Sequence, residues 1–388
     1  MIRCSAFCLT SDIEKGRRAQ RAAQVIDRMR NGRPVEENLG QAQLLALPLG
    51  PGRGLPVVHG WLGANPKNGE FSMLSRDANR LVASRDAAGT RPLYVAKSGK
   101  WVSSDHRFFP REDARLLPPG SVFDFARRRI VRGKMRRKSF GGSFEEAGKE
   151  LASILRRVVE ERVAGSKRVA VAFSGGLDSS ILLHCAKKHT KVLACTVHAP
   201  ASLDSISAPK AADALGVELL REVVTSGNLK RELSSLDLPF EPSPMDRSLW
   251  CIYSVASRLA SEAASQLIML GQLADELFGG YVKYQRTLIE LGESAAVELM
   301  RRDVDGCAVR GFLRDEAACS RWLEPRFPFA DKKVLEFSDG LPIDFKINRG
   351  VRKAVLREAA SNLGVPDELV VAPKKAAQYS SGIQKMIG

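Results

Sequence analysis

The sequence predicts two folded units of different class: a small β-rich unit over residues 1–140, then an α/β unit with a parallel sheet over 141–388. Three observations predict them. At 388 residues, with 44% apolar and 27% charged content, the chain exceeds one ordinary hydrophobic core and is neither disordered, collagen-like nor coiled coil. The formal charge of +16 is uneven: residues 1–140 carry 27 Lys+Arg against 12 Asp+Glu, residues 141–388 carry 33 against 32. Gly and Pro punctuate short segments in the first third, as in Leu117-Pro118-Pro119-Gly120, whereas helical and apolar runs alternate afterwards.

In the first unit, strands are predicted over 57–58, 71–74, 80–84 and 92–96, with a helix over 14–30. Cys4 and Cys8 alternate in an apolar start and read as small hydrophobes on one face of a strand. The seven cysteines form no Cys-x-x-Cys pair, so neither a disulfide framework nor a zinc ribbon is indicated, and reduced thiols in a cytoplasm fit. No run of 18 uncharged apolar residues exists and Arg3 interrupts the start, so neither a membrane span nor secretion is expected. Eight of the twelve residues over 127–138 are basic, which reads as a charged connector or a patch for an acidic partner, RNA or protein.

From residue 143 the order is helix 144–164, strand 168–173, helix 179–189, strand 191–198, helix 208–216 and strand 266–270. Such βαβ repetition predicts a parallel sheet flanked by helices. The strongest chemical signal is the run from Val169 through Phe173 into Ser174-Gly175-Gly176-Leu177-Asp178-Ser179. An apolar strand enters a turn whose missing side chains let backbone amides approach an anion, and a helix opens there with its positive end facing the same point. This is a phosphate cradle. It lacks the Lys of the Gly-x-x-x-x-Gly-Lys loop, which argues against the usual mononucleotide hydrolases.

Ser174 to Ser179 resembles the pyrophosphate loop (PP-loop) of the N-type ATP pyrophosphatases, an adenine nucleotide alpha hydrolase-like fold. Asp275-Glu276-Leu277-Phe278-Gly279-Gly280-Tyr281, Arg326-Phe327-Pro328-Phe329-Ala330-Asp331 and Pro373-Lys374-Lys375 resemble, in family order, segments of asparagine synthetases. The resemblance implies ATP on Ser174, Gly175, Gly176, Asp178, Ser179, Val197 and Gly271, and magnesium shared by Asp178 and Asp275. It also implies Lys374 or Lys375, with Lys374 favoured, and Arg247 against the phosphates. Asp275 follows a predicted strand at its carboxyl end, where open α/β sheets bind ligands; capping the next helix is the lesser alternative and is compatible with that role. Asp204 matches the family spacing and is explained almost as well as a helix cap. Arg326 and Asp331 are expected to form a structural ion pair.

Two departures qualify the resemblance. Gln272 and Leu273 replace the family's Glu and second Gly, and a glutamine cannot act as a general base. The first third resembles the family's Ntn-like glutaminase domain through Arg85-Asp86-Ala87-Ala88-Gly89-Thr90-Arg91-Pro92-Leu93-Tyr94, yet Ile2 follows Met1 where that domain needs a terminal cysteine. The expectation is a degenerate amidotransferase-like domain joined to an AMP-forming ligase that uses a small-molecule carboxylate and ammonia or another amine. Aspartate is the default acceptor; a β-lactam-synthetase-like cyclase or a tRNA-modifying enzyme stays open, as does a homodimer.

Overall fold

A computed structural model describes residues 2–10, 35–39, 42–48, 55–63, 68–77, 80–108, 114–133, 138–372 and 377–387. The chain divides into two compact units, Met1–Met135 and Arg136–Gly388.

The first unit is built on one sheet: β1 (Ile2–Thr10), β2 (Val35–Leu39), β3 (Ala42–Pro48), β4 (Val57–Trp61), β5 (Glu70–Asp77), β6 (Arg80–Arg85), β7 (Tyr94–Ala96), β8 (Trp101–Ser103), β9 (Ala114–Leu116), β10 (Ser121–Asp124) and β11 (Arg129–Arg132). The order is β11-β10-β6-β5-β4-β1-β8-β7-β9, with β3 bridging β1 and β2. Phe7, Val57, Leu74, Ala83, Leu93, Val95, Val102, Leu117 and Phe123 form its core. β4, β7 and β8 are buried at successive residues, on both faces, whereas β11 is exposed or part-exposed throughout. The predicted strands are present, and Cys8 on β1 is buried. The helix expected over 14–30 lies outside the described residues. β11 is an edge strand, and Arg127, Arg128, Arg129 and Arg132 on and before it are exposed. The turn carrying exposed Lys97 and Lys100 packs against Arg128 at Gly99.

The second unit opens with α1 (Phe144–Val163), where Ser143 and Glu146 form a reciprocal capping box. β12 (Arg168–Ala172), α2 (Leu177–Ala186), β13 (Lys191–His198), α3 (Asp204–Leu215) and β14 (Glu218–Val223) follow as βαβ units. Then come α4 (Ser226–Leu233), α5 (Pro244–Glu262), β15 (Leu267–Met269), α6 (Ala274–Phe278), α7 (Val282–Leu291), α8 (Glu293–Gly306), a π-helical turn Cys307–Gly311, α9 (Phe312–Cys319) and β16 (Glu324–Arg326). The sheet β14-β13-β12-β15-β16 is parallel throughout. Its inner strands β12, β13 and β15 are largely apolar and buried, as suits the centre of a parallel sheet, whereas the edge strand β14 is polar and none of its residues is buried. The chain moves outward from β12 through β13 to β14, then returns to the other side of β12 for β15 and β16. The gap between the carboxyl ends of β12 and β15 is therefore the topological switch point, the place where such sheets bind ligands.

α3 begins four residues before the expected start. Pro209 consequently lies inside the helix rather than in its first turn. Past β16, α10 (Lys332–Gly340), α11 (Ile343–Lys346), the short ribbon β17 (Ile347–Asn348) and β18 (Val351–Arg352), α12 (Ala354–Leu363) and α13 (Asp367–Val371) complete the unit, with α14 (Ala377–Ser380) and α15 (Ile383–Ile387) last. Among the described residues no helix is long and apolar enough to cross a membrane.

Candidate active site

A cavity of about 750 Å³ opens at the switch point, lined by the loop after β12, the loop after β15, α5, the π-turn and the start of α12. Ser174, Gly176, Asp178, Ser179, Val197, Gly271, Gln272 and Asp275 all line it, bringing together most of the residues singled out in the sequence. Gly175 sits just behind the turn with φ +76°, and a Cβ there would lie 2.9 Å from the Ser207 carbonyl oxygen, so only glycine fits. Gly176 caps α2 in extended conformation, and the helix amides begin directly over the cavity. Gly271 packs against the neighbouring loop, where a Cβ would lie 3.0 Å from that of Asp178.

Asp178 enters from the first turn of α2 and Asp275 from the first turn of α6. Both carboxylates meet the ammonium of Lys353, which is 1% exposed: its Nζ lies 2.6 and 2.7 Å from the Asp178 oxygens and 2.8 Å from Asp275 Oδ1. Sequence reasoning missed Lys353, which adopts φ +58°, a left-handed conformation, immediately before α12. Asp275 does not cap α6; that position belongs to Leu273, whose φ of +80° explains why glycine is the usual residue there. Two carboxylates from adjacent strand ends that converge on one cation form a donor set suited to magnesium carried by phosphates. Asp178 and Asp275 are the residues that would hold it.

Glu276 is buried in the wall and accepts a 2.8 Å hydrogen bond from the Tyr281 hydroxyl. Burial, reinforced by the neighbouring Asp275 charge, pushes its carboxyl upward. Gln272 points its amide at the π-turn: Nε2 donates to Cys307 Sγ at 3.5 Å, and a Cβ on Gly311 would lie 2.9 Å from that nitrogen. Burial holds the Cys307 thiol well above its ordinary range, so it is a neutral partner. A π-turn re-aims the residues it carries, which is how α8 delivers Cys307 to Gln272.

Farther along the same wall, Asp246 accepts from Arg310 Nη2 at 2.8 Å and Arg314 Nη1 at 3.0 Å. Burial works against its ionised form, but the hydrogen bonds from Ser243 and Arg310 and the Arg314 charge prevail and hold its pKa at about 2.

Arg247 is not among the cavity-lining residues; its side chain is half exposed and pairs with exposed Glu241 at 3.7 Å. One residue earlier on α5, Asp246 faces inward, and the arginines at the cavity are Arg310, Arg314 and Arg357. Lys374 and Lys375 lie outside the described residues. Asp204 is buried in the first turn of α3 and lines the cavity. Asp331 caps α10 and forms a fully buried pair with Arg162 at 3.1 Å, while Arg326 pairs with Glu324 at 3.3 Å. Those pairs correct the expected Arg326–Asp331 bridge, since α1 supplies an arginine at the position of Asp331.

A parallel-sheet domain with a glycine-rich anion turn and paired carboxylates at its switch point defines a nucleotide-binding α/β protein. The family model described as asparagine synthase matches residues 150–322 and 293–386, and the chain belongs to that family. A putative glutamine-hydrolysing asparagine synthetase of Methanocaldococcus jannaschii is 30% identical over 279 residues, 63% of this chain and 51% of the relative. A probable asparagine synthetase of Schizosaccharomyces pombe is 26% identical over 357 residues, 78% and 60% respectively. The chain thus spans about half to three-fifths of the length of these relatives. Among solved structures, the NMN synthetase of Francisella tularensis aligns at 12% identity over 64% of this chain and 85% of that one, with a TM-score of 0.34.

Proposed function

We propose that the protein is an ATP-dependent, AMP-forming amide ligase that adenylates a small-molecule carboxylate, aspartate by default, and transfers ammonia or another amine to it. The observation that carries this reading is the convergence of Asp178 and Asp275 on one cation beside the Ser174-Gly175-Gly176 turn. Asp178 and Asp275 would hold magnesium there, which would supply charge neutralisation on the phosphates. The α2 amides orient the phosphate chain, and Lys353 is positioned to follow charge onto it. An acceptor carboxylate oxygen attacks the α-phosphorus, the bond to the bridging oxygen breaks and pyrophosphate leaves. The amine nitrogen then attacks the acyl carbon, loses its proton and expels AMP. Gln272, fixed through Cys307, orients the incoming amine and takes no proton.

The first unit is read as lacking glutaminase activity. Cys4 lies within β1, its backbone opposite Pro48 on one side and His59 on the other. Motif residues Arg85 and Asp86 are bound by their own loop and the chain beside it: Arg85 donates to the carbonyls of Gly89 and Arg91 in the loop and of Leu117 beyond it, and Asp86 accepts from the Ala88 and Thr90 amides of the loop and from the Phe71 amide of β5.

The deciding experiment is release of AMP and pyrophosphate from Mg-ATP across amino acids, each with ammonia, glutamine or neither, beside Asp178→Ala. Aspartate-dependent AMP with ammonia and not glutamine is the expected result. Silence with every carboxylate overturns the reading. A second reading, RNA modification, is favoured by the exposed arginines of the β11 edge; tRNA binding that weakens steeply with salt supports it, and no binding at low salt removes it.

A further inference from the structure

Lys353 is held where it is by more than its two carboxylates. Its left-handed backbone (φ +58°, ψ 33°) is set by the β17–β18 ribbon on one side and α12 on the other. Arg352, its neighbour, donates to the Gly280 carbonyl at 2.6 Å, and Arg357 Nε donates to the Arg352 carbonyl at 3.1 Å. Gly280 lies so close that a Cβ there would be 2.5 Å from Lys353 Cε and 1.8 Å from Asp275 Oδ1. The stem is thus confined between Gly280 and the carboxylates, and the open direction for the ammonium is the cavity that Lys353 lines.

The electrostatics give this placement a consequence. Two partly buried carboxylates would repel each other, and the ammonium cancels half of their charge, hydrogen-bonding both Asp178 oxygens and lying 2.8 Å from Asp275 Oδ1. A hard divalent cation needs about six oxygen ligands and sheds water reluctantly. Among the described residues no group of three or more His, Cys, Asp or Glu side chains could hold a metal ion. A free metal ion would therefore exchange its hydration shell for two oxygen donors already occupied by a cation, whereas polyphosphate supplies further oxygens and a new anion for Lys353.

We propose that Lys353 is a resident cation that denies the Asp178–Asp275 pair to free divalent metal, so that metal enters only together with a nucleotide whose phosphates draw the ammonium away. This rests on the reading of Asp178 and Asp275 as the metal ligands. The test is Mn²⁺ binding to the full chain, followed by the electron paramagnetic resonance signal of unbound Mn²⁺, with and without an ATP analogue carrying a methylene between the α- and β-phosphates. Wild type should leave Mn²⁺ unbound until the analogue is added, then take up one ion. Lys353→Met should bind one Mn²⁺ without nucleotide at least about tenfold more tightly than wild type, and bind the analogue more weakly; Lys353→Gln serves if the methionine variant does not fold.

Micromolar Mn²⁺ binding by wild type alone overturns the proposal whatever the variants do, as does equal binding by wild type and Lys353→Met. Analogue that binds without recruiting any Mn²⁺ is a different failure, because it removes Asp178 and Asp275 as metal ligands and takes the proposal down with that reading.

Discussion

Asp86 in the first unit and Asp178 in the second are both carboxylates from recognisable motifs, and their surroundings are opposite. Asp86 is surrounded by donors of its own loop, including the Thr90 amide at 2.9 Å and the Thr90 hydroxyl at 2.9 Å, and burial pushes its pKa upward. Asp178 faces a cavity and shares one lysine side chain with Asp275. A motif whose polar groups are satisfied by backbone within a few residues holds a loop together. One that lines a cavity and meets a side chain from 175 residues away can exchange that partner for a ligand.

The sharpest break of that contrast is Asp178→Ala. It should lower pyrophosphate release by roughly 10³-fold, the scale for removing one preorganised charge-stabilising group, with the unfolding midpoint little changed. Asp86→Ala should do the reverse: about 3 kcal/mol or more of stability lost through several buried donors left without an acceptor, read by urea unfolding, with AMP formation intact in the fraction that stays folded. Gln272→Ala should raise the KM for the amine by about tenfold, as expected for losing one positioning hydrogen bond, while carboxylate-dependent exchange of pyrophosphate into ATP is unchanged. An equal fall in both half-reactions would place Gln272 in adenylation instead. The smallest effect concerns acid. Because Asp246 is held at about 2, below its ordinary 3.8, its contribution is complete above 3.8 and drains away as pH falls from there through 2. Asp246→Asn should flatten that part of the stability curve.

The βαβ order and the phosphate turn were legible because they are local: apolar strands, a Ser-Gly-Gly turn and a helix start lie within a dozen residues of one another. Asp275 was legible because its Asp-Glu-Leu-Phe-Gly-Gly-Tyr segment resembles the family and opens a helix just past a predicted strand. Lys353 was not, since nothing near it in sequence announces a partner, and its left-handed backbone has no glycine to mark it. Arg247 misled for a related reason. A helix-start arginine beside an expected site is plausible by spacing, but the rotation of α5 turns Asp246 inward and leaves Arg247 at the surface, while the π-turn, whose register no periodicity reveals, brings Arg310 to the wall. The Gln272–Cys307 contact depends on that turn as well.

Gly280 divides the cavity into a part that can be rewritten and a part that cannot. With Asp275 and Lys353 both inside the space that any side chain at 280 would need, the phosphate end admits no larger residue without losing its charged trio. The opposite wall ends in Met245, 43% exposed, and Arg310, whose guanidinium rests 4.2 Å above the Phe240 ring. Those side chains reach solvent and carry none of the phosphate-end contacts. On the proposed reading, a library confined to positions 245 and 310 would search for new acceptors while leaving the groups proposed for activation untouched.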